Sequence, residues 1–175
     1  IEMFKGIKNL LSKTGISMIE VAYAPSTIGS GNFDTIYHEH VCSYSLISIR
    51  NALKVAGLEV YDAYLIDTQG GSLRIFCSHT NSRVKTKNYL SLLESELNLK
   101  LNSLEYYTAI GEKINQKVGE LRNFLAELID SKRKILIVGS PARGVVIINV
   151  CNIELSKLSI VIDDTPEKQN KLMPG

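Results

Sequence analysis

Residues 37–40 carry the side chains best suited to moving protons near neutral pH. The run Tyr37-His38-Glu39-His40 contains two of the three histidines in the chain. A positioned histidine can take or give a proton at low cost, because its pKa lies near neutrality. A glutamate beside it can orient the imidazole or stabilise its cation, and a tyrosine can donate a hydrogen bond to a developing oxyanion. This set of groups is suited to removing a proton next to a carbonyl.

Two other interpretations of the same residues stay open on sequence alone. On a regular strand, His38 and His40 would share one face, which suits a pair of metal ligands. However, H-E-H is not the H-E-x-x-H pattern of zinc enzymes, and no third ligand stands nearby in the sequence, so we assign no metal ligands. Residues 37–40 could also form a polar patch with only a structural role.

A second motif, the glycine-rich run GSPARG at residues 139–144, stands between a predicted strand and a predicted helix. A glycine-rich turn at such a place lets backbone N–H groups and the helix N-terminus meet a phosphate. An acid about 20 residues later, at the end of the next strand, is where dinucleotide-binding units hold a ribose. Glycine at a tight turn and aspartate at a strand end are also ordinary structural choices. The candidate binding residues are Gly139, Ser140, Ala142, Arg143, Gly144 and Asp163.

The spacing of apolar residues predicts alternating helices and strands around these motifs. We expect a mixed α/β fold in which an antiparallel hairpin ends one sheet, a helical connector follows, and a second βαβ unit closes the chain. One apolar stripe, from Tyr106 to Leu128, indicates a helix that faces a core. Helices are predicted at 2–13, 45–56, 85–97, 103–131 and 143–151, strands at 16–23, 58–66, 72–79, 134–139 and 158–163, and loops at 24–32 and 67–71.

Composition narrows the partners and the compartment. Hydrophobic residues make up 45% and charged residues 22% of the 175, a globular balance, and the net charge of +2 argues against nucleic acid or an anionic membrane as partner. The three cysteines, Cys42, Cys77 and Cys151, form no C-x-x-C pair, which favours free thiols in a reducing cytoplasm. No signal peptide or membrane span is predicted. The start at Ile1 without methionine and the stop at Gly175 suggest a piece of a longer protein.

Four stretches, in this order, resemble the SAM-dependent sugar C-methyltransferases of deoxysugar biosynthesis. They are FDTIYHEHVCSYSL, GGSLRIF, GSPARG and VIDDTPEKQNKLMPG, and the resemblance runs through nearly the whole chain. The chain departs from the family pattern at Arg143, where lysine is commoner, at Ser140, where alanine is usual, and at Gln69, where a histidine often stands.

The resemblance implies three modules: a cysteine-rich zinc region, a SAM-binding α/β domain with a Rossmann-like sheet, and a C-terminal α/β domain that helps to hold a nucleotide-sugar. Residues 1–80 would be the last part of the SAM domain, and residues 81–175 a helical connector with part of the C-terminal domain. The zinc cysteines and the glycine-rich SAM loop have no counterpart here. We therefore expect zinc only in the preceding region, and no turnover by this piece alone.

The resemblance also implies roles for individual residues. His40 would remove the C3 proton of a 4-keto deoxysugar linked to a nucleoside diphosphate, with dTDP as the expected one. Tyr37 would stabilise the enolate oxygen, Glu39 would orient the sugar or His40, and His38 would contact the substrate. Because Tyr37 and Glu39 would oppose His40 on a regular strand, we expect the segment to break from strand geometry. The alternatives are a non-catalytic nucleotide-binding module and a metal-dependent hydrolase that uses His38 and His40.

Overall fold

The computed structural model describes residues 1–68, 70–153 and 160–174, and it divides the chain into two units. Unit 1 consists of residues 1–30 and 42–109, and unit 2 of residues 31–41 and 110–175. The chain is α/β in both, with an antiparallel three-stranded sheet in unit 1 and a parallel two-stranded sheet in unit 2. The predicted fold class is therefore confirmed.

Unit 1 is built on a sheet whose strand order is β1-β3-β2. The central strand β3 pairs antiparallel with both neighbours: Ser72 lies opposite Ala22 on one side and Ile66 on the other. β3 is the central strand, and most of its residues are buried, in line with its apolar sequence. The elements are α1 (Glu2–Leu10), β1 (Ile16–Ala22), α2 (Ala24–Thr27), α3 (Leu46–Val55), β2 (Leu58–Ile66), β3 (Ser72–His79), α4 (Lys87–Asn98) and the first residues of α5 (Leu104–Asp130).

Unit 2 contains the rest of α5 and a small β-α-β unit. Strand β4 pairs in parallel with β5, so that Leu136 lies opposite Ile160 and Val138 opposite Ile162. A short 3₁₀ helix, Phe33–Thr35, lies in the segment that carries the first chemical motif. The elements that follow α5 are β4 (Leu136–Val138), α6 (Ala142–Val150), β5 (Ile160–Ile162) and the 3₁₀ helix Pro166–Lys168.

The helix and strand predictions agree with these bounds to within a few residues, and the antiparallel hairpin of 58–66 and 72–79 is confirmed. Gly70 and Gly71 in its link have φ values of +86° and +115°, the left-handed region that favours glycine. Gln69 in the same link lies outside the described residues, as do residues 158 and 159 at the start of the last predicted strand.

Two expectations are corrected. Residues 24–32 were predicted to be loop, but Ala24–Thr27 forms a helical turn, with a proline in its first turn and the Thr27 hydroxyl donating to the Tyr23 carbonyl. The stripe on α5 is only partly buried: Ile110 and Val118 are buried, whereas Tyr107 is exposed. Helical periodicity shows which face of a helix is apolar, but not how much of that face the rest of the chain buries.

A buried carboxylate holds the start of α3. Glu96 on α4 is fully buried, and its two oxygens accept hydrogen bonds from the backbone N–H groups of Leu46 (2.6 Å) and Ile47 (2.8 Å). These groups have no partner within the helix, and the positive end of the helix dipole favours an anion there. The buried Tyr23 hydroxyl also bonds Glu96; burial first, and this carboxylate second, raise the pKa of Tyr23.

We predict that Glu96→Ala will lower the free energy of unfolding by roughly 3 kcal/mol, because two buried N–H groups lose a charged acceptor. Glu96→Gln should cost less, since it keeps one acceptor oxygen. Urea unfolding followed by circular dichroism gives the values, with Glu94→Ala, on the exposed side of α4, as the control. Equal losses in Glu96→Ala and Glu94→Ala would contradict this account of the helix start.

Candidate active site

The segment that carries Tyr37, Glu39 and His40 is a turn. After the 3₁₀ helix Phe33–Thr35, the His40 N–H donates to the Tyr37 carbonyl at 2.9 Å and closes the next turn. The expected break from strand geometry is confirmed. It follows that His38 and His40 do not share a strand face, the arrangement on which the metal-pair interpretation depended.

The turn brings the Tyr37 and His40 side chains together. Their ring centroids lie 4.3 Å apart, and the Tyr37 hydroxyl is 3.2 Å from His40 Nε2. His40 Nδ1 lies 2.9 Å from the Thr35 carbonyl oxygen. A carbonyl can only accept, so Nδ1 carries the proton, and in neutral imidazole Nε2 is then the acceptor for the tyrosine hydroxyl. In the neutral ring, the Nε2 lone pair therefore faces a phenol donor.

The His38 ring lies edge-on to Tyr37, with centroids 6.1 Å apart, and Glu39 follows it in the turn. Both side chains are exposed, and their closest approach to each other is 3.9 Å, a loose contact. The group that orients the His40 ring in the described structure is the Thr35 carbonyl, which sequence reasoning did not single out. A backbone carbonyl carries no side-chain signature, so the sequence offered no sign of it. In the described residues, no group of three or more His, Cys, Asp or Glu side chains is placed to hold a metal ion.

An ion pair ties this segment to α6 within unit 2. The Nε and Nη2 atoms of Arg143 both lie 2.7 Å from Asp34 Oδ2, and the Asp34 side chain is only 15% exposed. Asp34 belongs to the 3₁₀ helix that leads into the Tyr37–His40 turn. Arg143 was predicted to contact substrate, and sequence reasoning gave Asp34 no role. The ion pair shows a role for Arg143 that was not predicted, the anchoring of residues 33–35 against α6.

We predict that Arg143→Ala will increase amide hydrogen exchange at Thr35 and His40 about three- to tenfold, the equivalent of roughly 1 kcal/mol for a half-exposed pair. Exchange resolved by residue gives the rates. The exchanged pair Asp34→Arg with Arg143→Asp should restore much of the protection, because it reverses both charges. Arg133→Ala, at an exposed position of the same unit, is the control. Unchanged rates in Arg143→Ala would show that the ion pair does not hold the segment.

The glycine-rich turn and Asp163 form one hydrogen-bonded group. Gly139 has a φ of +86°, and its N–H donates to the Ile162 carbonyl at 2.6 Å. The Asp163 carboxylate accepts from the N–H groups of Ser140 (2.7 Å) and Thr165 (2.9 Å), and Lys168 Nζ lies 3.2 Å away. Bonds from Thr165, then from the Ser140 amide, hold the pKa of Asp163 well below its usual range.

A cavity of about 1060 Å³ adjoins this group in unit 2. Of the predicted binding residues, Ser140, Ala142 and Asp163 line it, and Lys168 lines it too. Lys168 was not predicted. Its position five residues after Asp163 was the available signal, but a lone lysine near a chain end is not distinctive. Ser140 and Asp163 follow the carboxyl ends of the parallel strands β4 and β5, the position predicted for a nucleotide.

We predict that Asp163→Asn will speed amide exchange at Ser140 and Thr165, because the neutral amide is a weaker acceptor than the carboxylate. With its pKa depressed, the wild-type carboxyl stays ionised below the pH at which a free aspartate protonates. Protection in the wild type should therefore persist at pH 4 and fall only at lower pH. Exchange measured at pH 4 and pH 7 tests this, and Asp164→Asn is the neighbouring control. Equal exchange in wild type and Asp163→Asn would exclude the proposed role in the turn.

Comparison with known proteins places the chain in a class. A model of the C-methyltransferase C-terminal domain family matches residues 67–175, so the chain belongs to that family. Across 175 residues it is 24% identical to the C-methyltransferase NovU of Streptomyces niveus. The match covers 99% of this chain and 42% of NovU, so the chain spans less than half the length of this curated relative. The predicted relationship to the C-terminal portion of C-methyltransferases is confirmed. Among the described residues, no helix has the length and apolar character to cross a bilayer.

Proposed function

We propose that this chain supplies the base and part of the sugar-nucleotide site of a C-methyltransferase. The reaction is methylation at C3 of a 4-keto deoxysugar nucleotide, dTDP-linked, through an enolate, in the cytoplasm. The observation that carries the proposal is the Tyr37–His40 pair with its tautomer set by Thr35. Membership of the C-methyltransferase family supports it, because carbon methylation requires a carbon nucleophile.

His40 Nε2 is the base. It takes the C3 proton, and the electron pair of the C–H bond moves into the enolate with charge on the C4 oxygen. The imidazolium that forms keeps its Nδ1 hydrogen bond to the Thr35 carbonyl, which stabilises the positive charge. The Tyr37 hydroxyl, which donates to Nε2 in the unliganded site, turns to donate to the C4 oxygen as the keto-sugar binds; this frees the Nε2 lone pair for the C3 proton and keeps a donor on the enolate oxygen.

S-adenosylmethionine supplies the electrophilic methyl group in this class of reaction. We assign none of the residues of this chain to its binding. In the same proposal, residues 1–80 are the last part of the SAM domain and residues 81–175 belong to the connector and the C-terminal domain. Glu39 and His38, which are exposed beside the base, contact the sugar.

The nucleotide is assigned to the cavity beside the glycine-rich turn. Ser140, Ala142 and Asp163 line it, and the turn at Gly139 leads into α6, which contains Gly144 and whose N-terminus favours a diphosphate. The Asp163 carboxylate already accepts from the Ser140 and Thr165 N–H groups, the Thr165 hydroxyl and Lys168 Nζ, so a ribose hydroxyl would take the place of the exposed Lys168 contact. Arg143 is not among the described residues that line the cavity; it uses Nε and Nη2 on Asp34, and we assign its remaining N–H groups to phosphate at the start of α6.

The same cavity favours the non-catalytic nucleotide-binding module as a second candidate. It would use the site around Ser140 and Asp163, and the Tyr37–His40 pair would be structural. We do not pursue the metal-dependent hydrolase, because the turn at residues 37–40 does not place His38 and His40 on one strand face and, among the described residues, no group of three or more candidate ligands is placed to hold a metal.

We predict that in the full-length enzyme His40→Asn will slow exchange of the substrate C3 proton with deuterated water by a factor of about 10² to 10⁴, the usual contribution of a general base. Proton NMR of the sugar nucleotide follows the exchange. Tyr37→Phe should slow it less, because it removes an oxyanion donor and keeps the base. His79→Gln, in strand β3, is the matched control and should exchange at the wild-type rate.

Calorimetric titration with dTDP separates the two candidates. Binding of dTDP without C3 exchange by the wild-type enzyme would favour the nucleotide-binding module. Exchange retained in His40→Asn would assign the proton step to another base.

A further inference from the structure

A small pocket in unit 1 lies away from the residues discussed so far. It has a volume of about 240 Å³ and is walled by the C-terminal half of α3, the start of β2 and the start of α4. It lies at the end of the sheet where Leu58 pairs with His79. The pair Ala22–Ser72 marks the opposite end. The side chains of Arg50, Lys54, Glu59, Thr80, Lys85 and Tyr89 line it.

Positive charge dominates the lining. Three cationic side chains, Arg50, Lys54 and Lys85, face a single carboxylate, Glu59. Glu59 is already engaged: Oε1 lies 2.6 Å from Lys85 Nζ, and Oε2 accepts the Asn81 N–H at 3.0 Å. The bond to Lys85 and then the Asn81 amide lower the pKa of Glu59, so it stays ionised. It neutralises one of the three cations, which leaves an excess of two positive charges.

The Lys85 ammonium is the least satisfied group in the pocket. Its nitrogen is buried, and its acceptor among the described residues is Glu59 Oε1 at 2.6 Å. The Tyr89 ring centroid lies 5.4 Å away. An ammonium carries three N–H donors, so one carboxylate oxygen leaves two of them without an acceptor, and buried donors without acceptors are costly. An anion in the pocket would provide the missing acceptors.

We propose that this pocket binds a small oxyanion of the phosphate class. A tetrahedral oxyanion has several acceptor oxygens, which suits donors that come from α3 and from the segment before α4. Lys85 and Lys54 supply ammonium groups, and Arg50 supplies a guanidinium whose contact with the Tyr89 hydroxyl, at 3.4 Å, is long and easily exchanged. The volume is below that of pockets for drug-sized ligands, so the ligand is inorganic phosphate or the phosphate of a small monoester.

The test is isothermal titration of the full-length protein with inorganic phosphate, and separately with glycerol 3-phosphate, at low ionic strength. We expect saturable one-to-one binding. Lys85→Met should weaken it roughly tenfold or more, because a buried charged donor is lost. Lys54→Met, at an exposed position where folding is not at stake, should weaken it several-fold. Lys87→Met is the control, since it removes the same charge from the exposed start of α4 outside the pocket.

The outcomes separate clearly. Tighter binding of glycerol 3-phosphate would identify a phosphorylated small molecule as the ligand, and equal binding would identify the phosphate group alone. No saturable binding up to about 10 mM, where affinity falls below the millimolar range of weak ligands, would overturn the proposal. The proposal would also be overturned if Lys87→Met, Lys54→Met and Lys85→Met all reduced the phosphate affinity by the same factor. The binding would then be non-specific charge attraction.

Discussion

The chemistry proposed for this chain depends on one hydrogen bond, from His40 Nδ1 to the Thr35 carbonyl oxygen. An imidazole can hold its proton on either nitrogen, and only one choice leaves Nε2 free to act as a base. A carbonyl has no proton to give, so it permits only the useful tautomer. The short 3₁₀ helix and the turn after it place that carbonyl within reach of the ring. The conformation of a few backbone residues thus determines what the histidine can do.

The fold was largely readable from the sequence, because its signals are local. The alternation of apolar residues in β2 and β3, and the glycines between them, predicted the hairpin at its observed bounds. The helical turn at Ala24–Thr27 escaped prediction because Pro25 suggested a loop, although proline also suits the first turn of a helix. Burial along α5 could not be predicted, since it depends on which residues come to face the helix.

The candidate site could be predicted in part from the sequence. Its side chains could be identified by type, whereas their backbone and long-range partners could not. Tyr37, Glu39 and His40 were visible as side-chain types, and the break in strand geometry followed from their alternation. The partners that give them their states were not visible. Thr35 acts through its backbone, and Asp34 acts through Arg143, which lies 109 positions away in the sequence. The same is true of Glu96, which caps a helix that begins 50 residues earlier. Long-range pairs of this kind have no pattern in a single sequence.

The Asp34–Arg143 ion pair has a practical consequence for measurements on this chain. The guanidinium side chain is half exposed, so dissolved ions reach it and weaken its attraction to the carboxylate. The 2.7 Å contact is well inside the screening distance of roughly 8 Å at about 0.15 M, and only near 1 M, where that distance falls to about 3 Å, do the two become comparable. Rates recorded in molar salt would then describe a looser arrangement around the imidazole than rates recorded in ordinary buffers, and only values taken at matched salt can be compared.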